Sequence, residues 1–295
     1  MNYILSTETV ADVHKEDLEG RNISYIPFHY VLNDVEYKDD FGETLSLHDF
    51  YESMVQGAST HTSQIPNGEY EAYFRSFLEQ GLDVLHVCLS SGLSGSYQGA
   101  TMMAQQLNEE FKDHKVLVLD SLNASSAVGM LVSRMADQRD QGVSLEELYE
   151  YGLKERFRIH TWLFTTDLTY LIRGGRISKA SGAIGNMLHI VPLMAFNQSG
   201  KIVVRKKQRG KKKAMQSSID FLARYIEDTT SIYVNHSDCL EDAKAFGQMI
   251  QESYPETELR YYEIGTTIGS HTGPETIAFY FVGKDRREVD MDFDN

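Results

Sequence analysis

Ser90-Ser91-Gly92-Leu93-Ser94-Gly95-Ser96-Tyr97 is the stretch whose reading decides the fold. An apolar run over 84–89 precedes it and reads as a buried strand; residues 98–111 follow and read as a helix. Glycines at a strand-to-helix junction let the backbone turn tightly and come close to a ligand. The first amides of a helix carry partial positive charge and suit an anion. Ser90, Ser91, Ser94 and Ser96 crowd their hydroxyls into this turn. It reads either as a seat for a small anionic group or as a serine-rich turn that caps the helix.

Outward from this turn, strand and helix patterns alternate. A strand is expected over 3–6, a helix over 10–19, a β-rich run over 23–32 broken by Pro27, and helices over 47–55 and 68–79. A further strand over 116–119 ends at Asp120, and an amphipathic helix spans 124–138. Ser144 and Glu147 have the spacing of a capping box for a helix reaching about residue 157. Such alternation predicts a parallel sheet with helices on both faces, and ligands then lie beyond the C-terminal strand ends, where the Ser90–Tyr97 turn stands. Past Ile159 the pattern changes. Residues 183–196 are almost continuously apolar, and Asn197-Gln198-Ser199-Gly200 makes the turn of an antiparallel hairpin. A long helix over 210–227 and a strand-helix-strand-strand set follow. The expected fold class is therefore α/β with two domains: residues 1–158 around a parallel sheet, with the loop 57–66 reaching the cleft, and residues 159–295 as an α+β domain.

Composition narrows the function. A chain of 295 residues with 41% hydrophobic content can bury a sizeable core, and a net charge of −15 argues against nucleic-acid binding. Cys88 and Cys239 lie far apart and form neither a CxxC nor a zinc-type Cys/His pattern, so no metal is expected from the spacing and a reducing, cytoplasmic setting is the simplest. Met1–Glu8 lacks the basic and apolar regions of a secretory leader, and no apolar window approaches the ~18 residues of a membrane span.

Three polar stretches carry chemistry: Ser59–Ser63, Ser90–Tyr97 and Ile268-Gly269-Ser270-His271-Thr272-Gly273. With Arg173 and Arg176 they supply hydroxyls, an imidazole and guanidinium groups, the set that holds a carboxylate or phosphate away from bulk water. The stretch 59–63 also reads as an ordinary loop, and a single histidine is commonly structural. A competing pattern is Gly92-Leu93-Ser94-Gly95-Ser96, which approaches a nucleophile elbow with Ser96 in the place of the last glycine. Ser94, Asp120 and His271 fall in the chain order of a serine hydrolase of acyl esters. A sugar- or nucleotide-binding module on the same sheet is a third reading, although no Walker A pattern is present. Arg205-Lys206-Lys207-Gln208-Arg209-Gly210-Lys211-Lys212-Lys213 places seven cations in nine positions on an acidic chain. It puts lysines at a helix start, against the macrodipole, and reads as a solvated face or as a surface for an anionic partner.

As a set, Ser59-Thr60-His61-Thr62-Ser63-Gln64, the Ser90–Tyr97 turn, Leu171-Ile172-Arg173-Gly174-Gly175-Arg176-Ile177, Arg209–Lys213, His236 and His271-Thr272-Gly273-Pro274 resemble the DegV family, the fatty-acid-binding subunit type of bacterial fatty acid kinase. His61 stands where that family usually has proline, and Ile65 where it commonly has another. The resemblance implies a lipid-binding, non-enzymatic subunit holding one long-chain fatty acid between two domains, with no other cofactor. Thr62, Ser94 and His271 would take the carboxylate, with Arg176 favoured over Arg173 as the nearby cation. Ile184, Met187, Leu188, Ile190 and Leu193 would line the acyl pocket. A separate ATP-dependent kinase subunit, docked on Arg205, Arg209 and Lys212, would form the acyl phosphate for phospholipid synthesis, and transient contact with a membrane surface is compatible with that role.

Overall fold

The computed structural model describes residues 2–178 and 190–289. The first part of the chain runs β1 (Tyr3–Glu8), α1 (Lys15–Glu19), β2 (Ile23–Ile26), β3 (His29–Leu32), β4 (Val35–Lys38), α2 (Leu47–Val55) and β5 (Thr60–Ser63). It continues with α3 (Asn67–Leu78), β6 (Asp83–Cys88), α4 (Ser96–Glu110), β7 (Val116–Asp120), α5 (Ser126–Asp140) and α6 (Leu145–Glu155). The second part holds β8 (Ile159–Phe164), α7 (Thr169–Arg173), β9 (Ile190–Phe196), β10 (Ile202–Arg209), α8 (Lys211–Tyr225) and β11 (Ile226–His236). It closes with α9 (Leu240–Ser253), β12 (Glu258–Glu263), α10 (Thr266–Thr272) and β13 (Ile277–Gly283).

The predicted parallel sheet is present, in the order β2-β1-β6-β7. Its strands are buried on both faces, which is why they read as continuous apolar runs. The capping box at Ser144 and Glu147 forms with both reciprocal bonds. The second sheet is mixed, in the order β10-β9-β8-β13-β11-β12, and within it only β11 and β12 pair in parallel. All strands of the parallel sheet end by Asp120 and all strands of the mixed sheet start at or after Ile159.

Three expectations change. The helix expected over 10–19 is a short 3-10 turn, Thr9–Ala11, and a separate α1. Asp12 between them adopts a left-handed conformation (φ 44°), and its carboxylate accepts the Gly265 N–H at 3.1 Å and a bond from the Ser125 hydroxyl, a tertiary anchor that interrupts the helix. Pro27 does more than break a strand, since β2 joins the parallel sheet and β3 joins a small antiparallel sheet, β4-β3-β5. The stretch over 59–63 is therefore partly a strand: β5 pairs with β3, and Thr62 stands opposite Tyr30.

Two cores result. Trp162, Phe164, Phe279 and Phe281 point from β8 and β13 toward α8 and α9. The alternate residues, Leu163, Ala278 and Tyr280, point the other way and join the core of the parallel sheet. The space between that face and the C-terminal ends of the parallel strands is where the candidate site lies.

Candidate functional site

A cavity of about 550 Å³ opens there, within the usual range for a small-molecule site. Leu89, Leu93, Leu163, Leu171, Phe196, Ile202, Ile264 and Ala278 give it an apolar wall. Each sheet contributes by its own period. The register pairs Leu163 with Ala278 and Thr161 with Tyr280, so all four present one face, and all four line the cavity. The polar wall combines Thr62, Gln64, Ser91, Ser94, Gln98, Arg176, Thr267 and His271. Among the described lining residues, Arg176 is the only one with a formal charge, and no carboxylate lines the cavity.

The polar groups are held from behind. Thr62 Oγ1 and His271 Nε2 are hydrogen-bonded at 2.8 Å. His271 Nδ1 is buried and has no partner among the described residues. Burial pushes the His271 pKa down to about 3, and the positive charges of Arg176 and Arg173 add to the effect, so the ring is neutral. Gly174 is a close-approach glycine, because a Cβ there would stand 2.2 Å from His271 Nδ1. Arg176 donates to the Gly174 carbonyl, and burial lowers its pKa. Arg173 does not line the cavity; it stacks over Tyr170 at 5.1 Å and reaches Thr60 Oγ1 at 3.4 Å.

The Ser90–Tyr97 turn borders the cavity and the start of α4 together. Ser94 Oγ accepts the Ser96 N–H at 3.2 Å at the start of α4, while Ser94 also lines the cavity. A hydroxyl whose oxygen is engaged as an acceptor keeps its proton to donate. The turn is fixed from the second part of the chain. Ser90 Oγ donates to the Gly200 carbonyl at 2.8 Å, and a Cβ on Gly92 would meet the Ser199 and Gly200 carbonyl oxygens at 2.6 and 2.7 Å. Only glycine permits the β9–β10 hairpin turn to seat this closely. Gln64 lies over Gly95 in the same way, joining β5 to the turn.

Several sequence expectations find a different place. The polar stretch around His271 is not a loop; α10 carries it, its start held by Asp12 and by Asp39, whose carboxylate accepts the Thr267 N–H at 3.1 Å. Leu193 does not line the cavity: with Val191 and Ala195 it packs on the far face of β9, while Met194 and Phe196 face the parallel-sheet core. Ile190, half-buried at the start of β9, is also not in the wall. Ile184, Met187 and Leu188 lie outside the described residues. A serine-hydrolase triad is not assembled, because Asp120 accepts the Ser91 and Leu122 N–H groups and His271 is bonded to Thr62 rather than Ser94. Phe28, Gln64, Gln98, Thr267 and Tyr280 are wall residues that the sequence reading missed. Alternation along β13 could have flagged Tyr280 with Ala278, but nothing local marks the others.

The cations of 205–213 occupy an edge strand and the following helix start. Lys206, Lys207, Arg209, Lys212 and Lys213 are exposed and Arg205 is half-buried. Lys211 is engaged by Asp242 at 2.5 Å and Glu275 at 3.7 Å.

The comparison with known proteins agrees with this architecture. A family model described as "Uncharacterised protein, DegV family" matches residues 4–284. The chain belongs to the DegV family. A DegV domain-containing protein from Clostridium perfringens is 30% identical over 95% of this chain and 97% of its own length. A DegV family protein from Thermus thermophilus, whose structure was described for its fatty acid binding, superposes with a TM-score of 0.86 at 28% identity. That match covers 96% of this chain and 100% of the Thermus one. The fatty acid kinase B3 protein of Streptococcus pneumoniae, loaded with linoleic acid, shares the DegV fold at a TM-score of 0.84 and 20% identity, over 96% of this chain and 100% of its own.

Proposed function

We propose that this chain binds one long-chain fatty acid between its two domains, residues 1–158 and 159–295, and presents the carboxylate to a separate ATP-dependent kinase subunit. The observation that carries the reading is the charge pattern of the cavity: among the described lining residues, a largely apolar wall with one cation, Arg176, and no acid. That pattern suits an amphiphile with a single negative charge. A sugar would leave the apolar wall unused, and a nucleotide would bring several charges to one guanidinium.

The parts divide the work. Burying a long acyl chain contributes roughly 10 kcal/mol gross, at about 0.8 kcal/mol per methylene. The head group then needs only to avoid a desolvation penalty. Ser94 and Thr62 donate hydroxyl hydrogen bonds, neutral His271 shares the Thr62 contact, and Arg176 supplies the counter-charge, with Arg173 adding positive potential from behind. Small hydroxyl donors can yield to an incoming phosphoryl group while the guanidinium offsets its charge. The kinase subunit would dock on the exposed cations around Arg205, Arg209 and Lys212, and the acyl phosphate would serve phospholipid synthesis. The chain itself is a binding and presenting subunit. Among the described residues no helix is long and apolar enough to cross a membrane.

Lipid extraction and native mass spectrometry of the purified protein test this. The expected result is a co-purified fatty acid, with a rise in Tm when a long-chain acid is added to stripped protein. Absence of both an acyl lipid and a thermal shift would refute the reading.

A further inference from the structure

Below the Ser90–Tyr97 turn and outside the cavity wall, Glu8, His86 and Cys88 come together with their side chains fully buried. No sequence spacing announces this group, because it is built across two strands. His86 and Cys88, two apart on β6, share a face, and the parallel register Ser6–His86 brings Glu8 level with Cys88 on that face. One potential ligand atom from each residue lies within 4.8 Å of the other two.

Two features of the group are unexplained by hydrogen bonding. His86 Nδ1 is bonded to Ser6 Oγ at 2.9 Å, but Nε2 is buried with no hydrogen-bond partner among the described residues and points toward Glu8 Oε1 at 3.9 Å. Glu8 receives the Tyr70 hydroxyl, the Leu89 N–H and a bond from the Cys88 thiol, yet among the described residues no lysine or arginine forms an ion pair with it. A buried carboxylate requires a counter-charge, which none of these neutral donors supplies.

We propose that Glu8, His86 and Cys88 bind one zinc ion. The donor set of thiolate, imidazole and carboxylate is the one a borderline-soft divalent ion selects. On binding, the Cys88 thiol gives up its proton to solvent and its sulfur bonds the metal. The thiolate and carboxylate charges then cancel the ion's two positive charges, leaving a neutral site in a place without water. The His86 Nε2 lone pair gains a partner, and the Ser6 contact on Nδ1 fixes the tautomer that exposes it. Because the side chains are fully buried, the ion enters as the chain folds and is shielded from chelators afterwards. Through the Glu8–Leu89 bond it braces the strand end from which the Ser94 turn departs. The proposal is independent of the lipid reading.

The test uses the full chain, produced with added zinc and washed with chelator in the folded state to strip surface ions. Elemental analysis is expected to find one zinc per chain. Protein unfolded in chelator, dialysed and refolded with Co²⁺ is expected to show a thiolate-to-cobalt charge-transfer band. Cys88→Val, which keeps a buried apolar shape, is expected to lose both the zinc and the charge-transfer band. If that variant does not fold, the wild-type metal content and cobalt spectrum decide. Wild-type protein with neither zinc nor a thiolate–cobalt band would overturn the proposal and leave His86 and Glu8 as a buried polar pair. Full zinc retention in folded Cys88→Val would overturn it equally.

Discussion

Replacing Ser94 with alanine separates a ligand-binding hydroxyl from a nucleophile and from a helix cap. The hydroxyl has two tasks in the structure. Its oxygen accepts the Ser96 N–H at 3.2 Å, and Ser94 lines the cavity. Loss of a capping contact costs about 0.5–2 kcal/mol of stability. Loss of a hydrogen bond to a charged group costs about 1.5–3 kcal/mol of binding, or roughly ten- to a hundredfold in Kd. The two effects are measured apart: urea unfolding of stripped protein reports the first, and fatty-acid titration of folded protein reports the second. Ser94→Ala is therefore expected to bind about ten- to a hundredfold more weakly while remaining folded, with a stability loss at or below about 2 kcal/mol. Unchanged affinity would show that the hydroxyl only caps α4. Covalent labelling of Ser94 by a fluorophosphonate, with ester turnover that the variant loses, would refute the reasoning and restore the hydrolase.

The remaining predictions concern charge and packing. The folded pKa of His271, about 3, lies below its ordinary 6.5, so the stability it contributes is complete above pH 6.5 and is lost as the pH falls toward 3. For lipid-stripped protein this one residue removes about 2 kcal/mol between pH 7 and pH 5. His160, also near 3 and hydrogen-bonded to the Lys284 carbonyl, and His236, lowered by burial, add parallel losses, so His271→Gln should reduce this acid slope in urea titrations without abolishing it; an unaltered slope would mean that the imidazole is already charged in the fold. If the proposed reading holds, Arg209→Glu combined with Lys212→Glu should leave the fold and fatty-acid binding intact but slow phosphorylation by the proposed kinase subunit, and the wild-type rate should drop between low and physiological salt as screening over about 8–10 Å sets in. Equal rates for variant and wild type at low salt would make the run a solvated face. Gly92→Ala forces the 197–200 turn away from the Ser90–Tyr97 turn and should cost about 1–3 kcal/mol in urea unfolding; no loss would mean that the two turns are not in van der Waals contact.

The sequence by itself determined the parallel half of the molecule. Runs such as 84–89 and 116–119 are apolar on both faces because helices cover both, and that continuity, broken by Gly/Ser turns and a capping box at Ser144, is a local signal. The Asn197–Gly200 hairpin was legible for the same reason. Thr62, Ser94, Arg176 and His271 could be named from their residue types and their resemblance to a family, but their meeting could not. Thr60–Ser63 has no apolar alternation and becomes a strand only because β3 lies alongside it. Ile268–Gly273 reads as a loop, and α10 forms where buried Asp12 and Asp39 from the N-terminal half receive its first amides. Leu193 and Met194 show the limit most plainly. In a strand buried on both sides every residue is apolar, so the pattern cannot say which face meets the cavity. That was decided by the packing of α8 and α9 on one side and the parallel sheet on the other.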